Sequence, residues 1–547
     1  MQVYHGKSVC GGIAIGKVSV YGRPESRVER EEKQNQEAEI CRYREAAGMA
    51  LEQLDGLYEK ALRQVGEAEA SIFEIHRMML KDSEFQGSIE DIIRTLSVNA
   101  EYAVARTAED LERKFQACED AYTRGRAADI EDISRRLLAI LQGREEERIQ
   151  EKEPVILLAD DLAPSQTVQL DKSQVLAFVT ARGSLNSHTA ILARTMGIPA
   201  LVGTDIPLDE SLDGRPGIVD GAAGMLYIDP DRETCARMRK ALEEEKEKKE
   251  LFRTLIGKEN LTLDGQSIQL HANIGSIKDL DMVLQNDADG IGLFRSEFLY
   301  LERNDFPTEE EQFRIYRTVA EAMGKKRAII RTLDIGADKQ CAYFGMEKEE
   351  NPALGCRAIR LCLTRTEIFK TQLRALLRAS AYGRLAIMYP MITSVKEVRR
   401  IREIVEEVKA ELGARGLPHG HPEQGIMIET PAAAMISDLL AREVDFFSIG
   451  TNDLTQYVLA LDRQNQSLDE FRDAHHPAVL RMIELTVENA HRAGIWAGIC
   501  GELAADPELT GEFLAMGVDE LSVAPERILP LRKAIRETDV SEYIRIR

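Results

Sequence analysis

The chain has 547 residues, 44% of them hydrophobic, and a formal charge of −22. That length is enough for two to four domains with separate cores, while the acidic balance repels a phosphate backbone, so a nucleic-acid partner is not expected and a basic protein is the better match. No apolar run approaches the roughly eighteen residues a membrane span needs, and Met1–Gly12 lacks the apolar core of a signal peptide, which predicts a cytoplasmic protein without membrane association.

Eight cysteines are scattered without paired metal-ligand spacing, as suits reduced thiols. Gly11-Gly12-Ile13-Ala14-Ile15-Gly16-Lys17-Val18 reads as a strand with flexible ends. From Glu25 to about Gly143 the sequence is rich in Glu, Arg, Ala and Leu, and Ile40, Tyr43, Ala47, Leu51, Leu54, Tyr58 and Leu62 recur at steps of three or four residues, the period of a helix. After Pro24 no proline occurs until Pro154, so nothing breaks long helices, and a bundle is the natural way to bury their apolar faces. Strands resume at Pro154–Ala159, Val175–Thr180, Pro199–Gly203 and Met225–Ile228. The helical block is therefore expected to be inserted into an α/β domain made of residues 1–23 and 144–230, with the helical domain spanning 24–143.

Residues 231–260 form a Glu- and Lys-rich stretch with few β-branched residues, the texture of a solvated linking helix. From 261 to 547, eight short apolar runs alternate with helical ones: Ile268–Ala272, Gly290–Phe294, Ala328–Leu333, Leu385–Tyr389, Ile426–Ile428, Asp445–Ile449, Ile495–Ile499 and Glu520–Val523. This pattern predicts a (β/α)8 barrel of the TIM type, whose active site lies beyond the carboxyl ends of its strands. Arg295 and Glu297 follow the second run, Asp334 the third, Glu429 the fifth, Asn452 and Asp453 the sixth, and Cys500 and Glu502 the seventh. Polar residues thus gather at the end where barrel chemistry is done.

Glu429 and Asp453 are two carboxylates that adjacent strands would aim at one point, and paired carboxylates with substrate oxygens and water are how Mg²⁺ is usually held. Arg295, Arg331, Arg357 and Arg463 lie in or beside barrel loops with little acidic sequence nearby except Asp334 and Asp462. Guanidinium groups match phosphate and carboxylate oxygens in a two-pronged way, so a small, multiply anionic substrate is implied. Lys339 is a further cation that could join them. Cys500, between Gly498 and Gly501, reads either as an inert core thiol or as a proton donor that can give up its proton near neutral pH. In Gly183–Arg194, His188 precedes a predicted helix over Thr189–Met196, where backbone N–H groups favour a bound phosphoryl group. A neutral imidazole there is a competent nucleophile toward phosphorus. His475-His476-Pro477 reads as a structural loop pair.

Taken together these residues resemble Enzyme I of the bacterial phosphoenolpyruvate:sugar phosphotransferase system along nearly the whole chain. The motifs are Ser187-His188-Thr189-Ala190 through Gly197-Ile198-Pro199-Ala200, Gly290–Phe298, Arg331–Gly336, Asn351–Gly355, Ile428–Pro431, Gly450–Thr455 and Cys500–Ala504, with Ile72-Phe73-Glu74 and Arg126–Ile130 in the helical block. The resemblance implies a swivelling phosphohistidine α/β domain, a helical domain that binds the carrier protein HPr, and a phosphoenolpyruvate-binding barrel through which the protein forms a homodimer. It implies that phosphoenolpyruvate meets Mg²⁺ held by Glu429 and Asp453, and that Arg295, Arg331, Asn452 and Arg463 grip the substrate with Arg357 close to the transferring group. His188 then takes the phosphoryl group for delivery to HPr, and Cys500 protonates the departing enolate to pyruvate.

Two departures stand out. Ser184-Leu185-Asn186 replaces the usual glycine, basic residue and threonine ahead of Ser187-His188, which bears on carrier choice or transfer rate, and Ala337 replaces a common glycine. A pyruvate,phosphate dikinase or phosphoenolpyruvate synthase would share the histidine domain and the barrel, but its large ATP-binding domain is missing here. A non-enzymatic sensor on the same fold is opposed by the intact His188, Glu429, Asp453 and Cys500.

Overall fold

A computed structural model describes residues 1–21, 28–64, 67–116, 121–144, 153–170, 172–183, 189–190, 193–194, 197–301, 303, 305–336, 342–347, 349–463, 465–471 and 473–546. The chain divides into two compact units, Met1–Glu247 and Lys248–Arg547.

In the first unit, β1 (Gln2–His5), β2 (Lys7–Cys10), β3 (Ile13–Tyr21), β4 (Val155–Ala159), β5 (Val175–Thr180), β6 (Ala200–Val202), β7 (Pro216–Asp220) and β8 (Met225–Ile228) form one sheet in the order β1-β8-β7-β3-β4-β5-β6-β2. Strand β3 pairs in parallel with β4, Lys17 opposite Val155 through Tyr21 opposite Ala159. Everything between these two neighbours is thereby an insertion into a single sheet. All five residues of β4 are buried, as expected of a central parallel strand covered on both faces. Ile156 and Leu158 join Ala177, Val179 and Leu201 on one face, while Leu157 and Ala159 join Phe178 and Ala200 on the other.

The insertion consists of helices Gln36–Gln64, Glu67–Lys81, Ser83–Leu96, Ala100–Gln116 and Ala121–Leu141. Ile40, Tyr43, Ala47 and Leu54 of the first helix pack with Phe73, Leu80, Ile89, Ile93 and Leu137, so the periodic stripe faces the core. Leu62, at the end of that stripe, is 39% exposed. Asp82 starts the third helix by accepting from the N–H groups of Glu84 and Phe85, the usual N-cap device. At the junction with the sheet, Asp132 accepts from both the N–H and the hydroxyl of Ser165, at 3.2 and 2.5 Å. A buried His76 ring lies 3.3 Å from Asp129 and 3.8 Å from Asp132.

In the second unit, β9 (Gln269–Ile274), β10 (Gly290–Arg295), β11 (Ala328–Arg331), β12 (Leu385–Tyr389), β13 (Glu423–Ile428), β14 (Phe446–Ile449), β15 (Trp496–Ile499) and β16 (Glu520–Val523) close into a barrel in sequence order, with β16 returning to β9. Every pairing is parallel. Each strand overlaps one of the eight apolar runs of the sequence. Leu293, Ile329, Ala386, Met388, Met427 and Phe446 fill the interior, and Cys500 closes this cluster. Capping boxes at Thr308 and Ser394 start the long outer helices Glu309–Met323 and Val395–Ala414. Among the described residues, no helix is long and apolar enough to cross a membrane.

A candidate active site at the carboxyl end of the barrel

Arg295 and Arg331 end neighbouring strands and sit opposite each other in register. Arg295 is exposed on the rim, whereas Arg331 is 6% and Arg357 4% exposed. The buried pair is embedded in carboxylates. Arg331 places Nη2 at 2.5 Å from Glu297 Oε1 and Nη1 at 3.0 Å from Asp334 Oδ2. Arg357 donates through Nη2 to both oxygens of Asp334, at 3.0 and 3.2 Å, and through Nη1 to Asp453 Oδ1 at 3.2 Å. The same Nη1 is 3.2 Å from the Tyr457 hydroxyl, and Arg463 reaches Asp453 Oδ2 at 3.4 Å. Burial alone would weaken the charge on Arg331 and Arg357. The nearby carboxylates outweigh it, so both guanidinium groups hold their protons more tightly than usual.

This arrangement revises the expectation of arginines with few acidic neighbours. Glu297, 34 positions from Arg331, and Asp453 become partners only through the strand order of the barrel. Glu297, Met391 and Tyr457 were given no role from the sequence. Asp334 and Glu297 carried the one available signal, acids placed beside arginines at strand ends.

Glu429 directly follows β13 and is buried. Its Oε1 accepts from the Met391 N–H at 2.6 Å, while Oε2 is buried without a hydrogen-bonding partner among the described residues. Burial, then the charges of Asp453 and Asp334, push this carboxyl up to about 8, against the opposing pull of Arg331 and Arg357. An orphaned carboxylate oxygen beside a second carboxylate is a poor arrangement for the bare protein and a good one for a divalent cation. The residues present therefore fit a metal ion. A second acidic group that could hold one lies apart from these residues in sequence: His475 is 2.6 Å from Asp506 and 3.8 Å from Glu508, and their ligand atoms lie within 4.8 Å of one another. The hydrogen bond to Asp506 raises the proton affinity of the His475 ring.

Cys500 follows β15. Its sulfur is 3.7 Å from the Ile449 carbonyl oxygen, and its own carbonyl accepts from Asn273 Nδ2 at 3.0 Å. Burial pushes the thiol up to about 11, so it is neutral at pH 7 rather than easily ionised as its place near cationic residues suggested. That state carries the proton a donor needs. Asn452 and Glu502 bond reciprocally, Nδ2 to Oε1 at 3.1 Å and backbone N to Oδ1 at 2.9 Å, and line a small cavity with Arg463. Gly501 has to be glycine, because any Cβ there would collide with the Thr451 hydroxyl.

In the first unit, His188 with Ser184, Leu185 and Asn186 lies outside the described residues, as do Ala337 and Lys339 of the second. The residue after His188 in sequence, Thr189, is buried, donates to Asp161 Oδ1 at 3.1 Å and accepts from the Leu162 N–H at 3.3 Å.

The chain matches three family models, described as PEP-utilising enzyme, N-terminal (residues 5–126), PEP-utilising enzyme, mobile domain (151–224), and PEP-utilising enzyme, PEP-binding domain (249–540). It is 42% identical to the phosphoenolpyruvate-protein phosphotransferase of Priestia megaterium over 97% of this chain and 93% of the relative. The protein of that name from Bacillus subtilis (strain 168) is 42% identical over 99% of this chain and 95% of the relative. The one from Haemophilus influenzae is 42% identical over 97% and 93%. With a barrel mouth of buried arginines and carboxylates and similarity over nearly its whole length, the chain belongs to the phosphoenolpyruvate-protein phosphotransferase family of PEP-utilising enzymes.

Proposed function

We propose that this enzyme takes the phosphoryl group of phosphoenolpyruvate onto His188, with Mg²⁺ at Glu429 and Asp453, and passes it to a histidine of the carrier protein HPr, the first step of a sugar phosphotransferase system. The observation that carries this reading is the alternation of buried guanidinium groups and carboxylates around Glu429, whose Oε2 has no partner.

Arg331 and Arg357, with Arg295 on the rim, bind the oxygens of the anionic substrate in two-pronged fashion and hold it in the barrel mouth. Asn452, in the first turn of the helix Thr451–Leu459 that follows β14, and Arg463, beyond its end, orient it. Glu429 and Asp453 would hold the cation, which would supply charge neutralisation at the phosphate oxygens. An imidazole nitrogen of His188 attacks phosphorus, and the bond from phosphorus to the bridging oxygen breaks to leave the enolate of pyruvate. Cys500 gives its sulfur-bound proton to the methylene carbon of that enolate, completing pyruvate. Burial pushes the thiol up to about 11, so it carries its proton at neutral pH, which supports this assignment.

Several features support the partners. Met78 is 72% exposed on the helix Glu67–Lys81, which suits docking of HPr on the helical domain. Met435, Leu439 and Phe471 are exposed apolar residues of the barrel unit, which suits a homodimer formed through it. The six described cysteines are all free thiols, in keeping with the cytoplasm. The domain limits proposed are 1–23 with 144–230, 24–143, 231–260 and 261–547, and the helix Arg232–Arg253 falls within the third of these.

The test is stoichiometry. With Mg²⁺, phosphoenolpyruvate and HPr, one pyruvate should appear per HPr phosphorylated, and chelation of the metal should stop both. Pyruvate release that leaves HPr unphosphorylated would overturn the reading.

A further inference from the structure

Two carboxylates in the barrel mouth take no part in the steps just described. Glu297 and Asp334 are 0% and 3% exposed and lie against the arginines that receive an anionic substrate. Negative charge there weakens attraction for phosphoenolpyruvate in the ground state, so substrate binding does not account for them. Their geometry does. Asp334 bridges the two buried guanidinium groups, with Oδ2 at 3.0 Å from Arg331 Nη1 and both oxygens within 3.2 Å of Arg357 Nη2. Two like charges this deeply enclosed would otherwise splay apart. Glu297 holds Arg331 from its other terminal nitrogen at 2.5 Å. Among the described residues the Nε of each arginine is buried without a hydrogen-bonding partner, so a donor on each is left unspent.

The loops that carry these acids are tied together beneath the site. Gln372 accepts from the Leu333 N–H at 2.9 Å, next to Asp334, and donates to Ser296 Oγ at 2.9 Å, next to Glu297. The same amide nitrogen also donates to the Tyr316 hydroxyl at 3.1 Å. One buried amide thus fixes the spacing of both acids and, through them, of both arginines.

Resting on the proposed function, we propose that Asp334, with Glu297 as its counterpart, is a positioning residue that sets the planes and separation of Arg331 and Arg357 for the transferring phosphoryl group, at the expense of ground-state affinity. The measurement uses the full-length protein with Mg²⁺. Asp334→Asn is expected to slow phosphoenolpyruvate-dependent labelling of His188 by about 10²-fold, as a displacement of about 1 Å does. Its calorimetric affinity for phosphoenolpyruvate is expected to be unchanged or tighter, and phosphoryl exchange between phosphorylated HPr and His188 to match that of the unaltered protein. A residue needed only for folding would not separate rate from affinity in this way. An unchanged labelling rate, or an affinity loss that parallels the rate loss, would overturn the inference. If Asp334→Asn also loses the HPr exchange, Glu297→Gln decides by the same split, since it acts on the opposite nitrogen of Arg331. Failure of the unaltered protein to label His188 would sink the proposed function itself, whereas normal labelling with indifferent variants sinks only this inference.

Discussion

The backbone N–H of Met391 donates to Oε1 of Glu429 at 2.6 Å, and Met391 adopts φ 60 to aim it there. A non-glycine residue in that region is uncommon and is kept only where surrounding structure fixes it. One oxygen of the carboxyl is thereby occupied, and the other is the one the proposed cation would take.

This sets the pH dependence of metal binding. Burial and the neighbouring acids push Glu429 up to about 8, so at neutral pH a cation has to expel a proton. Affinity for Mn²⁺ or Mg²⁺ is expected to fall by about tenfold per pH unit below about pH 8. Calorimetry in two buffers of different ionisation heat should show about one proton released per cation at pH 7. In the metal-free protein the folded state holds a proton that the unfolded chain has lost above its ordinary value of 4.5. The contribution of this group to stability is therefore full below pH 4.5, declines as pH rises and is gone above about 8. Thermal denaturation followed across that range checks the sign, and metal binding independent of pH would contradict it.

Cys500→Ala should lower steady-state pyruvate formation by at least about 10²-fold, the usual worth of a general acid, and leave phosphoenolpyruvate binding intact. With the thiol pushed up to about 11, no alkaline loss of activity from this group is expected between pH 7 and 10. A coupled pyruvate assay reads both, and full turnover by the variant would remove Cys500 from the mechanism.

Arg357→Met removes the cation shared by Asp334 and Asp453. Breaking a buried pair from one side costs about 3–5 kcal/mol, which should appear in the urea transition of the barrel unit together with loss of labelling by phosphoenolpyruvate. Arg357→Lys should not restore labelling, because a single ammonium cannot bridge two carboxylates in a plane. A stability loss below about 1 kcal/mol would show that the pair is not closed in solution.

Two glycines separate backbone strain from steric collision. Gly336 has φ 121, and any Cβ on it would run into the Cβ of Arg357, whereas Gly345 has φ 55 and a Cβ there would meet no atom of the described residues within 4 Å. Gly345→Ala should cost about 1 kcal/mol from conformation alone. Gly336→Ala should cost about 2–3 kcal/mol or more and slow labelling as well, since it displaces Arg357. Urea denaturation of the two variants side by side makes the comparison, and equal losses would contradict the packing described.

The barrel was legible because each strand is an apolar run bounded by turn residues, and because the carboxyl ends collect Arg295, Glu429, Asn452, Asp453 and Cys500. The inserted helices were legible from the stripe Ile40, Tyr43, Ala47 and Leu54. Strands β1 and β2 gave no signal, since Gln2–His5 and Lys7–Cys10 contain no fully buried residue, and they sit at the two edges of the sheet. β7 was missed because Pro216–Asp220 offers only a short buried centre. In the site, residue types were readable but pairings were not. That Glu297 meets Arg331 and that Arg357 meets Asp453 depends on which strands lie side by side, and the orientation of the Met391 N–H depends on a single backbone angle. The proton affinity of Cys500 was misjudged because it is set by enclosure, which no local motif encodes.

The most direct test of the account is where the phosphoryl group resides after the intact protein meets labelled phosphoenolpyruvate and Mg²⁺. Acid-labile, base-stable label should be located on His188 by peptide mass spectrometry, should leave the chain when HPr is added, and should be absent from His188→Ala. Equal uptake of label by His188→Ala would contradict the account.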